Sequence, residues 1–201
     1  MANRRRAIQR PTTRLRLSHA PHAYRTFLGI GLLFALGNSS DTFLILRAHS
    51  LGLSDVTAVL AYAFYNLVYA AVGWPAGLLS DRRGRRSILV AGCLLFALVY
   101  GGMGLAMGSL IVWPLFALYG LYIALTEGVS KAYITELVPA DHRGGALGLY
   151  AATTGLMALV VSLLAGILWD RVSPSAPFYV GGITALLAAG ALVVLRPRSP
   201  A

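Results

Sequence analysis

Apolar residues arrive in long runs along this chain, and polar residues are confined to short breaks between them. A helix that crosses a bilayer needs about twenty predominantly apolar residues. Six stretches reach that length: Thr26–Ala48, Val56–Leu79, Ser87–Met107, Leu110–Lys131, Gly144–Trp169 and Phe178–Leu195. Taken as one helix, the first would be ~34 Å long. Turn-forming residues separate the runs: Gly52 with Ser54, the polar run 80–86, Gly108 with Ser109, Pro139 with Gly144 and Gly145, and Pro174 with Pro177. The pattern predicts an all-α integral membrane protein with six transmembrane helices over 26–195. A basic segment over 1–25 precedes them and a short tail over 196–201 follows.

Composition agrees. Apolar residues make up 57% of the chain and charged residues only 12%, against about 25% charged in soluble domains. The net charge of +10 changes the picture only through its placement. Seven arginines (Arg4, Arg5, Arg6, Arg10, Arg14, Arg16, Arg25) precede the first apolar run. Arg82, Arg83, Arg85 and Arg86 sit between the second and third. Basic flanks of spanning helices mark the cytoplasmic side, so a nucleic-acid partner is not expected. With six spans both termini share one side. Adding Lys131, Arg143, Arg196 and Arg198 puts fifteen basic residues there, against Arg47 and Arg171 on the other. Both termini are therefore expected in the cytoplasm. Residues 1–25 are not expected to be a secretory signal: the basic stretch is too long, no small-residue cleavage site follows the first apolar run, and Arg5-Arg6 lacks the adjacent apolar core of a twin-arginine signal. The single cysteine, Cys93, forms no internal disulfide, and neither a metal site nor a cofactor is expected.

An internal echo adds symmetry. Ala76-Gly77-Leu78-Leu79-Ser80-Asp81-Arg82 ends the second span and Ala165-Gly166-Ile167-Leu168-Trp169-Asp170-Arg171 ends the fifth, with five of seven positions identical. Three spans in each unit place the copies on opposite faces, the arrangement of two inverted three-helix repeats.

The run from Gly77 to Arg86 holds Asp81, Arg82, Gly84, Arg85 and Arg86 in the order Gly-x-Leu-small-Asp-Arg-x-Gly-Arg-Arg, position for position. It resembles the signature loop of the major facilitator superfamily. Glu136-Leu137-Val138-Pro139-Ala140-Asp141-His142-Arg143-Gly144 is similar to that family's cytoplasmic loop between the fourth and fifth helices of a half. Leu36-Gly37-Asn38-Ser39-Ser40-Asp41-Thr42-Phe43 is similar to the opening helix of the second half in bacterial members. The resemblance implies the C-terminal six-helix half of a twelve-helix secondary transporter in a bacterial cytoplasmic membrane. It implies proton-coupled alternating access for a small solute bound between two halves, the second supplied by a copy of this chain or by a separate N-terminal half. An inactive C-terminal fragment and a non-transporting scaffold or sensor are the alternatives. In the family the aspartate matching Asp81 latches the two halves. The arginines are expected in the headgroup region beside anionic lipid, with Gly84 permitting the turn.

Charge inside an apolar run is costly, roughly 3 kcal/mol for a mid-membrane carboxylate on insertion scales, and so points to a site. Asp41 lies within the first span, with Asn38 three residues earlier on the same face. Either the pair binds a proton or substrate, or Asp41 pairs with Arg47 or the interface. Glu127 and Lys131 have the spacing of a helical ion pair, serving either coupling or the membrane boundary. Tyr62, Tyr65, Asn66 and Tyr69 form one face of the second span. Tyr119, Tyr122 and Thr126 do so on the fourth, and Tyr150, Thr153 and Thr154 on the fifth. These faces are expected to line a cavity. The third and sixth spans, nearly all apolar or glycine, are expected to face lipid. A stripe of Ala151, Gly155, Ala158, Ser162 and Ala165 offers close packing, to a second half or within the bundle. No nucleophile or nucleotide-binding loop suggests an enzyme.

Overall fold

The computed structural model describes residues 20–195. Most of the basic N-terminal segment and all of the C-terminal tail lie outside the described residues. Every regular element among those described is helical: α1 (His22–Ala35), α2 (Thr42–Ser50), α3 (Asp55–Arg83), α4 (Arg85–Leu105), α5 (Val112–Leu137), α6 (Arg143–Arg171) and α7 (Ala176–Leu195). Five of them, α3 to α7, are long and apolar enough to cross a membrane.

The stretch read as the first span is not one helix. It is broken over 36–41 into α1 and α2, which at ~21 Å and ~14 Å each fall short of a ~30 Å hydrocarbon core. The cause is twofold. Gly37-Asn38-Ser39-Ser40-Asp41 is a run of weak helix formers. At Gly37 the chain also presses against α7, where a Cβ would collide with the Thr184 hydroxyl and the Cα of Gly181. Irregular backbone at membrane depth requires partners for its polar groups. Gly37 N–H donates to Phe34 O at 3.1 Å, Asn38 N–H to Ala35 O at 3.2 Å and Ser40 N–H to the Ser162 hydroxyl at 3.1 Å.

Adjacent helices run up and down between two poles. At one pole the start of α1 meets the start of α6, where the Tyr24 hydroxyl donates to Ala146 O at 2.8 Å. The turn between α3 and α4 meets the ends of α5 and α7 there. Gly84, at φ 85°, makes that turn. At the other pole the end of α2 meets the end of α4. Arg47, buried at 8% exposure, donates to the carbonyls of Met103 (2.9 Å), Gly104 (3.4 Å) and Ala106 (3.1 Å). A cation among the last carbonyls of a helix satisfies acceptors that have no intrahelical donor.

The third and sixth spans, expected to face lipid, are also seams within the bundle: each packs on one side and keeps an exposed apolar side, with Leu94 and Leu98 on α4 and Ile183 and Leu187 on α7. The most apolar stretch of α4 is 56% buried and that of α7 39%, against 17% for α3 and 11% for the stretch containing α6. α4 packs along both α5 and α7, and α3 along α5. Among helices, an apolar surface serves a protein seam as well as a lipid contact.

Candidate functional site

A cavity of about 490 Å³ opens between α1, α5 and α6. Phe27, Ile30 and Phe34 wall it from α1, with Asn38 and Asp41 at the helix break. From α5 come Tyr119, Tyr122, Thr126, Glu127 and Lys131, and from α6 Tyr150, Ala151, Thr154, Gly155 and Ala158. α4 and α7 add only Leu89, Cys93 and Leu192, and α3 adds nothing to the lining.

Asp41 occupies the turn between α1 and α2. Tyr65 of α3 donates to its Oδ2 at 2.6 Å and Tyr119 of α5 to its Oδ1 at 2.7 Å. Two short hydroxyl bonds hold the carboxyl group from two sides, one on each oxygen. The two donor rings meet edge to face, centroids 5.1 Å apart and planes at 87°. Asp41 is thus held by neutral donors from two other helices, while Arg47 is turned away onto the end of α4.

Glu127 is held differently. Lys131, one turn along α5, reaches its Oε1 at 2.9 Å, and Tyr69 of α3 donates to its Oε2 at 3.0 Å. Its side chain keeps 48% exposure and that of Lys131 62%. Tyr65 and Tyr69 are one turn apart on α3, so a helix absent from the wall supplies a hydroxyl to each carboxylate.

The other polar residues of the same faces divide. Tyr62 sets its ring edge on Tyr65, centroids 4.8 Å apart, and Asn66 donates to Tyr62 O at 2.9 Å. Neither reaches the cavity. Thr126 and Thr154 line it, but their hydroxyls donate to the carbonyls one turn back, Tyr122 O at 2.9 Å and Tyr150 O at 2.8 Å. Thr153 does the same toward Leu149 at 2.8 Å. Tyr150 lies over Phe27, centroids 6.0 Å apart and 15° between planes. The small stripe of α6 contributes Ala151, Gly155 and Ala158 to the wall, while Ser162 holds the broken backbone. Phe27, Phe34 and Cys93 were not legible as lining residues. An apolar lining side chain carries the same signal as a core one.

The loop at 80–86 lies apart from this cavity. Arg85 joins Asp81 (3.2 Å) to Glu136 (3.2 Å) and donates to Ala132 O at 2.6 Å. Arg86 donates to Leu192 O and Val193 O, both at 2.7 Å. Two of the four arginines therefore bind carbonyls near the ends of α5 and α7, while Arg82 and Arg83 are exposed. Arg143 likewise donates to Thr135 O at 3.0 Å. Among the described residues no group of three or more His, Cys, Asp or Glu is placed to hold a metal ion.

A family model described as Major Facilitator Superfamily matches residues 26–201. The chain is 35% identical over 182 residues to an uncharacterised MFS-type transporter of Methanocaldococcus jannaschii, covering 88% of this chain and 46% of that protein. It is 33% identical over 127 residues to a probable 4-methylmuconolactone transporter of Cupriavidus pinatubonensis, covering 60% and 29%. It is 37% identical over 81 residues to an arabinose-proton symporter of Bacillus subtilis, covering 39% and 17%. The chain spans less than half the length of each of these relatives.

Proposed function

The chain belongs to the major facilitator superfamily of multi-pass membrane transporters, and on that premise we propose that it is the C-terminal six-helix unit of a proton-coupled secondary transporter. Asp41 takes up and releases the coupling proton, and the cavity between α1, α5 and α6 holds half of the solute site. The broken pair α1–α2 makes the first of six crossings. The pole carrying Arg85 and Arg86 faces the cytoplasm, as the positive-inside rule requires, in a bacterial inner membrane. Asp81-Arg82 ends α3 at that pole and Asp170-Arg171 ends α6 at the other, which supports two inverted three-helix units.

One observation carries the reading: a carboxylate on a broken helix at the edge of a cavity, held by hydroxyls from two other helices. A carboxylate within a membrane segment marks a proton or solute path by default. Its protonation would remove an acceptor from Tyr65 or Tyr119 and so reset contacts among the break, α3 and α5. The sparse burial of α3 and α6 supports a second six-helix unit across the cavity. It is either a copy of this chain or a separate N-terminal half, and the two would rock about the solute.

The test uses vesicles loaded with a pH-sensitive dye and reconstituted with the full chain, alone or with a six-helix N-terminal unit. Challenge solutes include L-arabinose, 4-methylmuconolactone and organic cations. Solute-driven proton movement that is lost in Asp41→Asn is expected. No proton movement in either arrangement, or movement unchanged by Asp41→Asn, would overturn the reading.

A further inference from the structure

We propose that the solute is a lipophilic organic monocation, its positive charge set against Asp41 and its apolar body against the aromatic wall of α1 and α5. The inference rests on the transport reading and names the chemistry of its solute.

Charge on the lining argues first. Three acidic or basic side chains are among the described lining of the cavity: Asp41 and Glu127 against Lys131. Glu127 and Lys131 neutralise each other at 2.9 Å. Asp41 has only the neutral hydroxyls of Tyr65 and Tyr119, at 2.6 and 2.7 Å. The nearby Arg47 is committed to the carbonyls of Met103, Gly104 and Ala106. One uncompensated negative charge remains, in a wall that is otherwise largely apolar. Hydroxyl donors stabilise that charge without cancelling it. A bound cation supplies the missing partner, a neutral solute does not, and an anion is repelled.

The wall argues second. Phe34, Tyr119 and Tyr122 line the space beside Asp41, and Phe27 and Tyr150 the space beyond. Aromatic faces attract cations as well as apolar surface. Few hydroxyls on the wall are free to donate to a polyhydroxylated solute, although Asn38 and Ser130 also line it. Thr126 and Thr154 already donate to their own helices, and Tyr65 and Tyr119 donate to Asp41. The volume suits a drug-sized body.

The test is equilibrium dialysis of the full chain in detergent micelles against protein-free micelles. Tetraphenylphosphonium serves as probe, and tetraphenylborate as its anion of matching shape. Saturable binding of the cation and none of the anion is expected. Asp41→Asn should weaken the cation at least tenfold. Lys131→Gln, at an exposed position, should tighten it several-fold by removing the only lining cation; a role confined to structure would not produce opposite signs at these two residues. Equal binding of the anion, unchanged affinity in Asp41→Asn, weaker binding in Lys131→Gln, or no saturable cation binding by the wild type overturns the proposal. Proton movement driven by another solute would leave the transport reading standing in that event. Cation binding without any flux would overturn transport alone.

Discussion

Two carboxylates line one cavity, and each takes a hydroxyl from the same face of α3, yet they are held on different terms. Glu127 has a lysine one turn away on its own helix and stays half exposed. Asp41 has no cation. It hangs in a helix break and depends on tyrosines 24 and 78 residues away. An ion pair in an exposed setting contributes little, typically ~0.3–0.5 kcal/mol for such helical spacing. A hydrogen bond to a charged group contributes ~1.5–3 kcal/mol. The difference teaches that the Glu127 end is local and tolerant, while the Asp41 end couples three elements through one charge.

The largest effect expected is on function. Asp41→Asn should abolish solute-driven proton movement, and Glu127→Gln should leave it within about threefold, less than ~0.7 kcal/mol. Equal losses at both positions in the vesicle assay would erase the distinction between the two ends. Next comes the clamp on Asp41. Tyr65→Phe combined with Tyr119→Phe should destabilise the folded chain by ~3 kcal/mol or more, from two lost bonds to charge, read as a lower thermal midpoint in detergent. Tyr69→Phe, acting on the exposed Glu127, should cost below ~1 kcal/mol. A double-mutant cycle sharpens this, because the tyrosine changes should cost far less once Asp41 is asparagine.

A smaller effect is expected at the break itself. Gly37→Ala inserts a methyl against Gly181 and Thr184 and should cost ~1–3 kcal/mol through overpacking. Gly77→Ala, where a Cβ meets nothing within 4 Å, should be neutral or stabilising by up to ~1 kcal/mol. The smallest effect belongs to Lys131→Gln, which should move stability by less than ~0.5 kcal/mol. A loss above ~1 kcal/mol would mean that the Glu127 end is built as tightly as the Asp41 end.

The two ends also differ in how far they could be read before the fold was known. Glu127 and Lys131 were legible as a pair because a helix brings residues four apart together wherever it lies. Tyr65 and Tyr69 were legible as one face, but not as standing behind the wall and reaching past it. The alternative that Asp41 pairs with Arg47 was plausible from six residues of separation. The break turns them apart, and Arg47 finds carbonyls 56 to 59 residues away. The break had a signal in Gly37-Asn38-Ser39-Ser40-Asp41, a turn-like run. Length and hydropathy outweighed it, because a bilayer span is counted on apolar residues.

What the sequence by itself determined is the medium and the family. Long apolar runs with basic breaks can be stable only in a bilayer, and the Gly77–Arg86 loop with the flanking motifs marks the superfamily. What the tertiary structure decided is which apolar surface meets protein. The runs of α4 and α7 look ready for lipid, yet α4 is the most buried of the long helices and α6 the least. In water the hydrophobic effect sorts side chains by burial, and the sorting leaves a periodicity to read. In a bilayer lipid tails are as apolar as leucine, so a seam between helices and a surface facing lipid carry the same residues. Only packing distinguishes them, through close approaches such as Gly37 on Gly181 and a carboxylate clasped by two distant tyrosines.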